Sequence, residues 1–242
     1  MATAGRTVIV TGASQGIGAG IVQAFLARGY NVVGTARNAT KSKELSASDQ
    51  LALIDGDIGQ FETAQKVAEL ALKKFGSIDA VVANAGIFLV KPFTEYTADD
   101  FRALVATNLL GFIYVTQLAV KQMQAQKTGG SIVSITAALA DNPIAGVTAS
   151  LSMITKGGLN AAVRSLALEY AKEHIRFNAV APGVVDTPLH AGTPKQSLES
   201  ASPMGSISTV EDIASAVIYL TEAGQITGEV LRVDGGAHLG KW

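Results

Sequence analysis

A glycine-rich segment near the start of the chain has the residue types and the spacing that a phosphate group needs. The β-rich run Thr7–Val10 leads directly into Thr11–Gly18, which reads TGASQGIG, and a helix-length segment follows. Glycines without side chains let backbone N–H groups approach a pyrophosphate, while the helix N-terminus supplies a positive dipole. A tight turn that only packs a helix closely uses the same residues. The position between a strand and a helix favours the phosphate site.

The elements that would position this loop are short β-rich runs alternating with helix-length segments whose apolar residues recur every three or four positions. This alternation predicts one α/β domain, residues 1–242, built on a doubly wound parallel sheet of the Rossmann type. The predicted strands are Thr7–Val10, Asn31–Thr35, Ala52–Asp55, Ile78–Ala83, Ser131–Thr136, Ile175–Ala181 and Val230–Val233. The predicted helices are Gly16–Arg28, Phe61–Phe75, Ala98–Gln124, Ser152–Lys172 and Val210–Leu220.

Composition excludes several classes of protein. Of the 242 residues, 48% are hydrophobic and 16% are charged, which provides material for a core and too little charge for disorder. A formal net charge of −1 gives no positive excess for a nucleic-acid partner. The absence of cysteine excludes disulfides and cysteine-ligated zinc, and we predict no metal site. Met1–Arg6 lacks a cleavable apolar stretch and no run of about 18 apolar residues occurs, so we expect a cytoplasmic protein with no membrane partner.

Further segments, taken with the TGxxxGxG loop, resemble the short-chain dehydrogenases/reductases. Asp57-Ile58 follows the third predicted strand, Asn84-Ala85-Gly86 follows the fourth, Asn108 lies in the long helical segment, and Pro182–Thr187 precedes the C-terminal VLRVDGG. The resemblance covers nearly the whole chain in the family's order. It implies that the cofactor contacts are made by Gly12, Ser14, Gln15, Gly16, Ile17, Gly18, Arg37, Asp57, Ile58, Asn84, Ala85, Gly86, Lys156, Pro182, Gly183, Val185 and Thr187.

The end of the second predicted strand bears on which dinucleotide binds. An acidic residue there would bond the adenosine ribose hydroxyls, whereas an arginine would favour a 2′-phosphate. The sequence has no carboxylate at Thr35–Asn38: the acidic position falls on Ala36, and Arg37 is next. The alternative for Arg37 is a solvated surface side chain, and Gln15 occupies a position where NADP-preferring relatives often have a basic residue. We expect NADP(H) to be favoured over NAD(H).

The resemblance also implies a catalytic tyrosine four residues before a lysine, and a serine at the end of the fifth strand. Lys156 matches the lysine, but position 152 is a serine, and the nearest tyrosines are Tyr114 and Tyr170, on other elements or turns. Strand alignment puts Ala137 at the serine position, with Thr136 just before it. From Ala137 to Ser152 is 15 positions, about two more than the family interval. We interpret the chain as an atypical member of the family.

Candidate catalytic groups remain, and each has an alternative interpretation. An aliphatic hydroxyl such as that of Ser152 is a far weaker acid than a phenol. The ammonium of Lys156 would hold the nicotinamide ribose, or would supply the proton itself or through a water. His190, a residue type suited to general acid catalysis near neutral pH, lies at the start of 188–208, which we predict to be a short lid over a small-molecule substrate. Its alternative is a lid side chain without a chemical role. The candidates are Lys156, Asn108, Ser152, Thr136 and His190.

These observations predict an NADP(H)-dependent oxidoreductase that acts on a carbonyl, an alcohol or an activated double bond without the standard tyrosine. The alternative is a catalytically silent dinucleotide-binding protein, a sensor or a scaffold, because the binding elements are present and two hydroxyl donors are not. By analogy with the family, the long apolar helical segments predict a homodimer or a homotetramer.

Overall fold

Seven parallel strands form one sheet in the computed structural model, which describes residues 5–240. They are Thr7–Thr11 (β1), Asn31–Ala36 (β2), Leu51–Asp55 (β3), Ala80–Ala83 (β4), Gly130–Ile135 (β5), Ile175–Pro182 (β6) and Val230–Val233 (β7). Their order across the sheet is β3-β2-β1-β4-β5-β6-β7. This is the predicted single-domain, doubly wound parallel sheet. The ends of the predicted domain range, Met1–Ala4 and Lys241–Trp242, lie outside the described residues.

Helices cover both faces of the sheet. They are Gly16–Ala27 (α1), Phe61–Phe75 (α2), Ala98–Leu104 (α3), Gly111–Gln126 (α4), Ser150–Glu169 (α5), Lys195–Glu199 (α6) and Val210–Glu222 (α7). The helices α1 and α7 pack on one face, and α2, α4 and α5 pack on the other. The strands are therefore buried on both sides, which explains why they read as continuous apolar runs rather than as alternating ones.

Alternate residues of each strand contribute to two separate layers of core. In β1, the fully buried Ile9 faces α2, α4 and α5, while Val8 and Val10 face α1 and α7. The same alternation holds in β5, where Ile132 belongs to the first layer and Val133 to the second. Because successive side chains of a strand point to opposite faces of the sheet, each strand contributes residues to both core layers.

The predicted helix 98–124 is interrupted at its centre. Between α3 and α4, the backbone forms a π-helical turn, Val105–Leu110, and Asn108 lies within it. The combined stretch Ala98–Gln126 is long and apolar enough to cross a membrane, with a mean hydropathy of 1.7 in its most apolar window. Polar residues, including Asn108 and Gln117, interrupt this stretch, so it is not the continuous apolar run that the sequence was predicted to lack. Core packing accounts for the apolar character, because Phe112, Val115 and Met123 are buried against the sheet.

Two connections near the carboxyl end of the sheet differ from simple loops. The predicted lid, 188–208, contains a 3₁₀ turn at Pro188–His190 and the short helix α6, neither of which was predicted. The long connection between β5 and α5 is anchored by Asp141, which forms an ion pair with Arg232 at 3.2 Å and accepts a hydrogen bond from Asn160 at 3.3 Å. These contacts tie that connection to β7 and to α5.

Candidate active site

The predicted site segments meet at the carboxyl end of the sheet, where β1 and β4 lie side by side. The connection leaving β1 runs to α1 on one face, and the connection leaving β4 runs to α3 and α4 on the other. A crevice opens where neighbouring connections diverge in this way, and doubly wound sheets bind their ligands there. The glycine-rich loop follows β1 and Asn84–Gly86 follows β4, so both predicted segments border this crevice.

The loop between β1 and α1 has no room for side chains at its key positions. Gly12 and Gly16 have φ angles of +67° and +54°, in the left-handed region that favours glycine. A Cβ on Gly18 would lie 2.1 Å from the carbonyl oxygen of Gly12. The first turn of α1 contains no acidic residue, so the positive end of its dipole faces the loop uncompensated by its own helix. This cradle fits a pyrophosphate.

Asn84 and Thr11 tie the loop after β4 to the glycine-rich loop. Asn84 Nδ2 donates to the carbonyl oxygens of Thr11 and Gly12, at 2.9 Å and 3.2 Å. In return, Thr11 Oγ1 accepts from the backbone N–H groups of Asn84 and Ala85, at 3.1 Å and 3.0 Å. Asn84 and Ala85, predicted as cofactor contacts, therefore also hold the phosphate loop in place.

Gly86 lets Lys156 and Asn108 approach closely because it has no side chain. A Cβ on Gly86 would lie 2.9 Å from Lys156 Nζ and 3.3 Å from Asn108 Oδ1. Asn108 is buried in the π-helical turn, where Oδ1 accepts from Ile87 N at 2.8 Å and Nδ2 donates to Ile87 O at 3.1 Å and to Thr155 Oγ1 at 2.9 Å. Three predicted residues, Gly86, Lys156 and Asn108, thus lie together. The π-helical turn that carries Asn108 is a feature frequently found at functional sites.

Lys156 is buried beside this glycine. Its Nζ donates to the carbonyl oxygen of Ile135 at 2.7 Å, at the carboxyl end of β5. Within residues 5–240 no carboxylate forms an ion pair with it, and burial lowers its pKa to about 8. An ammonium has three N–H donors, so two are left for ligand hydroxyls once Ile135 has accepted one.

The two hydroxyls predicted as candidate catalytic groups donate to backbone carbonyls instead. Ser152 is fully buried, and its Oγ accepts from Leu89 N at 2.8 Å and donates to Leu89 O at 3.1 Å. Thr136 is also buried and donates to Val180 O at 3.4 Å. Ala137, which follows Thr136, has no hydroxyl to offer.

Tyr96 brings a phenol to the same carbonyl that Ser152 uses. Its Oη donates to Leu89 O at 2.8 Å, so Ser152 shares a hydrogen-bond partner with a tyrosine that is farther from it in the sequence than Tyr114 and Tyr170. Those two pack in the core layers, against Phe61 and Phe177 respectively. The one available sequence signal was the position of Tyr96 on the connection that follows Gly86, directly before the residue that caps α3.

The segment after β2 lies against the glycine-rich loop. Ser42 Oγ donates to the carbonyl oxygen of Ser14 at 2.7 Å, which fixes the segment beside the predicted cofactor contacts Ser14 and Gln15. Arg37 is exposed. The cations that this short segment carries are Arg37, Lys41 and Lys43.

The segment after β3 carries two more of the predicted cofactor contacts, Asp57 and Ile58. Asp55 accepts from Thr40 N at 2.8 Å and from Thr40 Oγ1 at 2.6 Å, and these hydrogen bonds lower the pKa of its carboxyl. Asp57 Oδ1 accepts from Gly59 N at 2.9 Å, which closes the turn after β3. Ile58, next to it, is buried. The carboxylate of Asp55 is thus paired with its own neighbouring turn.

The chain leaving β6 borders the crevice from the other side. A Cβ on Gly183 would lie 2.8 Å from Asp234 Cβ, and a Cβ on Gly16 would lie 3.5 Å from Thr187 Cγ2, so this segment reaches over the glycine-rich loop. Val185 is buried and bridges to Ser208, after Pro182 has ended the strand. A cavity of about 410 Å³ opens beside the predicted lid, 188–208, and its lining includes Asp186, Thr187, His190 and Lys195. His190 therefore lies in the lid cavity, which neither Lys156 nor Leu89 lines.

The sheet, the glycine cradle at its switch point and the lysine beside Gly86 together define a dinucleotide-binding protein of the Rossmann class. Residues 12–238 match a family model described as enoyl-(acyl carrier protein) reductase. The chain belongs to the short-chain dehydrogenase/reductase family of oxidoreductases. It is 34% identical over 251 residues to a tropinone reductase homologue of Arabidopsis thaliana, covering 97% of this chain and 91% of the relative. It is 32% identical to 3beta-hydroxysteroid dehydrogenase 1 of Eggerthella lenta, covering 97% and 94%.

Solved structures agree with this assignment. ElxO carrying a tyrosine-to-phenylalanine substitution, with NADPH bound, superposes with a TM-score of 0.89 at 30% identity, over 96% of this chain and 98% of that one. The 3-ketoacyl-(acyl-carrier-protein) reductase of Brucella melitensis, complexed with NADH, superposes with a TM-score of 0.91 at 27% identity, over 98% and 99%. Both neighbours hold a nicotinamide dinucleotide.

Two helix glycines provide a matched test of the phosphate cradle. Gly18→Ala should abolish measurable NADPH binding in a fluorescence titration, because its Cβ meets the Gly12 carbonyl and α1 must shift away from the loop. Gly157→Ala has open space around its Cβ and should leave binding unchanged while raising the free energy of unfolding by roughly 0.5–1 kcal/mol. Equal NADPH affinity in the two variants would contradict this role for the loop.

The burial of Lys156 predicts a pH dependence of stability in the cofactor-free protein. Its pKa of about 8 lies below the ordinary value, so between these pH values the unfolded chain binds the additional proton. Stability should therefore rise with pH from about 8 toward 10 as the buried ammonium is neutralised. The difference in free energy of unfolding between the wild type and Lys156→Met, measured by urea titration, should shift by roughly 2 kcal/mol in favour of the wild type from pH 7.5 to 9.5. A difference that does not vary with pH would mean that the ammonium is solvated.

Proposed function

We propose that the protein is an NADP(H)-dependent oxidoreductase acting on a carbonyl, an alcohol or an activated double bond. The observation that carries the proposal is the convergence of Lys156, Asn108 and Gly86 directly beyond the phosphate cradle. Burying an unpaired charge costs free energy, and a nicotinamide ribose together with a substrate oxygen that gains negative charge would offset that cost. When bound, the cofactor supplies or accepts the hydride.

The chain's own residues have distinct roles in this proposal. The glycine-rich loop and the N-terminus of α1 hold the pyrophosphate, and Asn84 keeps that loop in position. The two unused N–H donors of Lys156 bind the nicotinamide ribose hydroxyls, and the ammonium stabilises negative charge that develops on a substrate oxygen. Asn108 acts through the loop after β4, because its amide is engaged with Ile87 and Thr155.

Charge at the end of β2 supports the preference for NADP(H). Arg37 begins a segment that also contains Lys41 and Lys43, and Ser42 holds that segment against the glycine-rich loop. Asp55, across the register from Ala36, accepts two hydrogen bonds from Thr40 and stays ionised, so the preference rests on the three cations of this segment outweighing that one carboxylate. A 2′-phosphate would therefore meet cations.

Two further expectations belong to this proposal. We propose a homodimer or a homotetramer, because large apolar side chains on α4 and α5 are exposed, including Ile113 at 39% and Ile154 at 56%. Such positions favour burial against a second copy of the chain. The expected cytoplasmic location is part of the same proposal.

Substitutions at the end of β2 test the cofactor preference. Arg37→Ala should weaken NADPH binding about tenfold while leaving NADH within about twofold, because only NADPH carries the 2′-phosphate. Ala36→Asp should reverse the preference by placing a carboxylate beside the ribose. Arg164→Ala, which removes an exposed arginine from α5, is the control and should change neither affinity. A wild type that binds NADH as tightly as NADPH would disprove the assignment.

Turnover distinguishes an enzyme from a silent binding protein. We expect the wild type to oxidise NADPH with at least one member of a panel of aliphatic, aromatic, cyclic and α,β-unsaturated ketones, measured by absorbance. Lys156→Met should lower that rate by roughly 100-fold or more, because the developing negative charge loses its cation. If the wild type binds NADPH and turns over no member of the panel, nor any matching alcohol with NADP⁺, it is the sensor or scaffold. The observation behind that alternative is that Ser152 and Thr136 both donate to backbone carbonyls.

A further inference from the structure

We propose that the phenol of Tyr96 donates the proton to the substrate oxygen, in place of a hydroxyl at position 152. The inference rests on the proposed function and assigns a catalytic residue outside the motif positions of the family. It follows from three features of the structure: what the other hydroxyls are bonded to, where the phenol points, and how readily the phenol can be released.

The other hydroxyls near the site are already committed. Ser152 has no exposed surface, and its single hydroxyl hydrogen goes to Leu89 O. Thr136 is buried and directed at Val180, and Thr155 Oγ1 donates to Ser152 O while it accepts from Asn108. Reduction of a carbonyl still requires a proton donor of suitable acidity, and an aliphatic hydroxyl is a much weaker acid than a phenol.

Tyr96 reaches the region that a longer side chain at position 152 would occupy. Leu89 O accepts from Tyr96 Oη at 2.8 Å and from Ser152 Oγ at 3.1 Å, so the two side-chain oxygens are no more than about 6 Å apart. That separation is comparable with the length of a tyrosine side chain. Ser152 lies one helical turn before Lys156 on the same face of α5, so the phenol approaches the side of the helix that carries the ammonium.

The connection that carries Tyr96 is fixed at several points around the site. Ile87 is bonded to Asn108, and Leu89 is bonded to Ser152 through both its N–H and its C=O. Lys91 donates from its backbone to Thr148 O at 2.7 Å, and its ammonium pairs with Asp100 at 2.7 Å. Tyr96 itself is partly exposed. The ring is thus carried by a connection with several anchoring contacts, and part of its surface stays accessible.

Releasing the phenol leaves no buried polar group without a partner. Leu89 O has two donors, so it keeps the Ser152 hydrogen bond when Tyr96 turns toward a substrate. The cost is one neutral hydrogen bond, which the substrate oxygen replaces. If Tyr96 were the sole donor to Leu89 O, its release would leave that carbonyl without a partner, and the phenol would be much less free to move.

The proposed step balances as follows. The hydride adds to the carbonyl carbon and the C=O π electron pair moves to oxygen, which takes the proton from Tyr96 Oη. The dihydronicotinamide is oxidised, the carbonyl is reduced to an alcohol, and the phenolate that remains takes a proton from water. In the oxidation direction the phenolate accepts the alcohol proton.

The test compares Tyr96→Phe with Tyr219→Phe, which removes a phenol from the exposed face of α7. Single-turnover NADPH oxidation with the best ketone of the panel should slow by roughly 100-fold or more in Tyr96→Phe and should be unchanged in Tyr219→Phe. The NADPH dissociation constant should stay within about twofold in both variants, because Tyr96 lies on the substrate side. A merely structural role for Tyr96 would instead shift NADPH affinity and rate together, and that result would overturn the proposal.

A readout independent of turnover accompanies the kinetics. In protein labelled with ¹³C at the tyrosine ζ carbon, the resonance that disappears in Tyr96→Phe should shift when NADP⁺ and the same ketone are added as an unreactive pair. The resonance that disappears in Tyr219→Phe should not shift. The wild type could turn over a ketone while its Tyr96 resonance does not shift and the Tyr96→Phe variant stays active. That outcome would overturn only this inference. Absence of turnover with every member of the panel and with every matching alcohol would overturn the proposed function and this inference together.

Discussion

The hydrogen bonds that Thr11 shares with Asn84 and Ala85 determine how far apart the two halves of the site can lie. One half is the glycine-rich loop at the end of β1, and the other is the loop after β4 that meets the π-helical turn and α5. Thr11 Oγ1 accepts two backbone N–H groups, while Asn84 Nδ2 returns two hydrogen bonds to the carbonyls of Thr11 and Gly12. Each of these groups would otherwise compete for water in the crevice, so the pairing closes the gap without leaving polar atoms unsatisfied. The position of Gly86 relative to Lys156 follows from it.

Lys156 shows that the same arrangement holds a destabilising group in place. Transferring an ammonium out of water is costly, and a single carbonyl 2.7 Å from Nζ compensates for only part of that cost. The part of the desolvation cost that is not compensated lowers the pKa of Lys156 to about 8. Gly86 leaves room for the ammonium, because a Cβ at this position would lie 2.9 Å from Nζ. Among residues 5–240 no carboxylate pairs with this charge, and space and two N–H donors remain beside it, which is the arrangement expected when a ligand completes the site.

What the sequence predicted well depends on contacts that are local along the chain. The glycine-rich loop joins β1 to α1 directly, and the spacing of Ser152 and Lys156 fixes their common helix face without knowledge of the rest of the fold. The π-helical turn around Asn108 could not be read from periodicity, because it depends on hydrogen bonds to Ile87 and Thr155, which belong to other elements. The bonding of Ser152 to Leu89 and the approach of Tyr96 to the same carbonyl depend on how a loop folds back over α5, and no spacing rule encodes that.

Serine at position 152 has a physical consequence beyond the absence of a phenol. A hydroxyl close to the helix backbone is both a donor and an acceptor, so it pairs with the N–H and the C=O of a single peptide residue, as it does with Leu89. A phenol oxygen lies at the far end of a rigid ring and cannot make both of these bonds from the same Cβ. The approach of the Leu89 segment to α5 and the small hydroxyl at 152 therefore depend on each other. Because that approach also brings Leu89 O within reach of Tyr96, the serine on α5 is coupled, through one carbonyl, to the position of a phenol on the connection after β4.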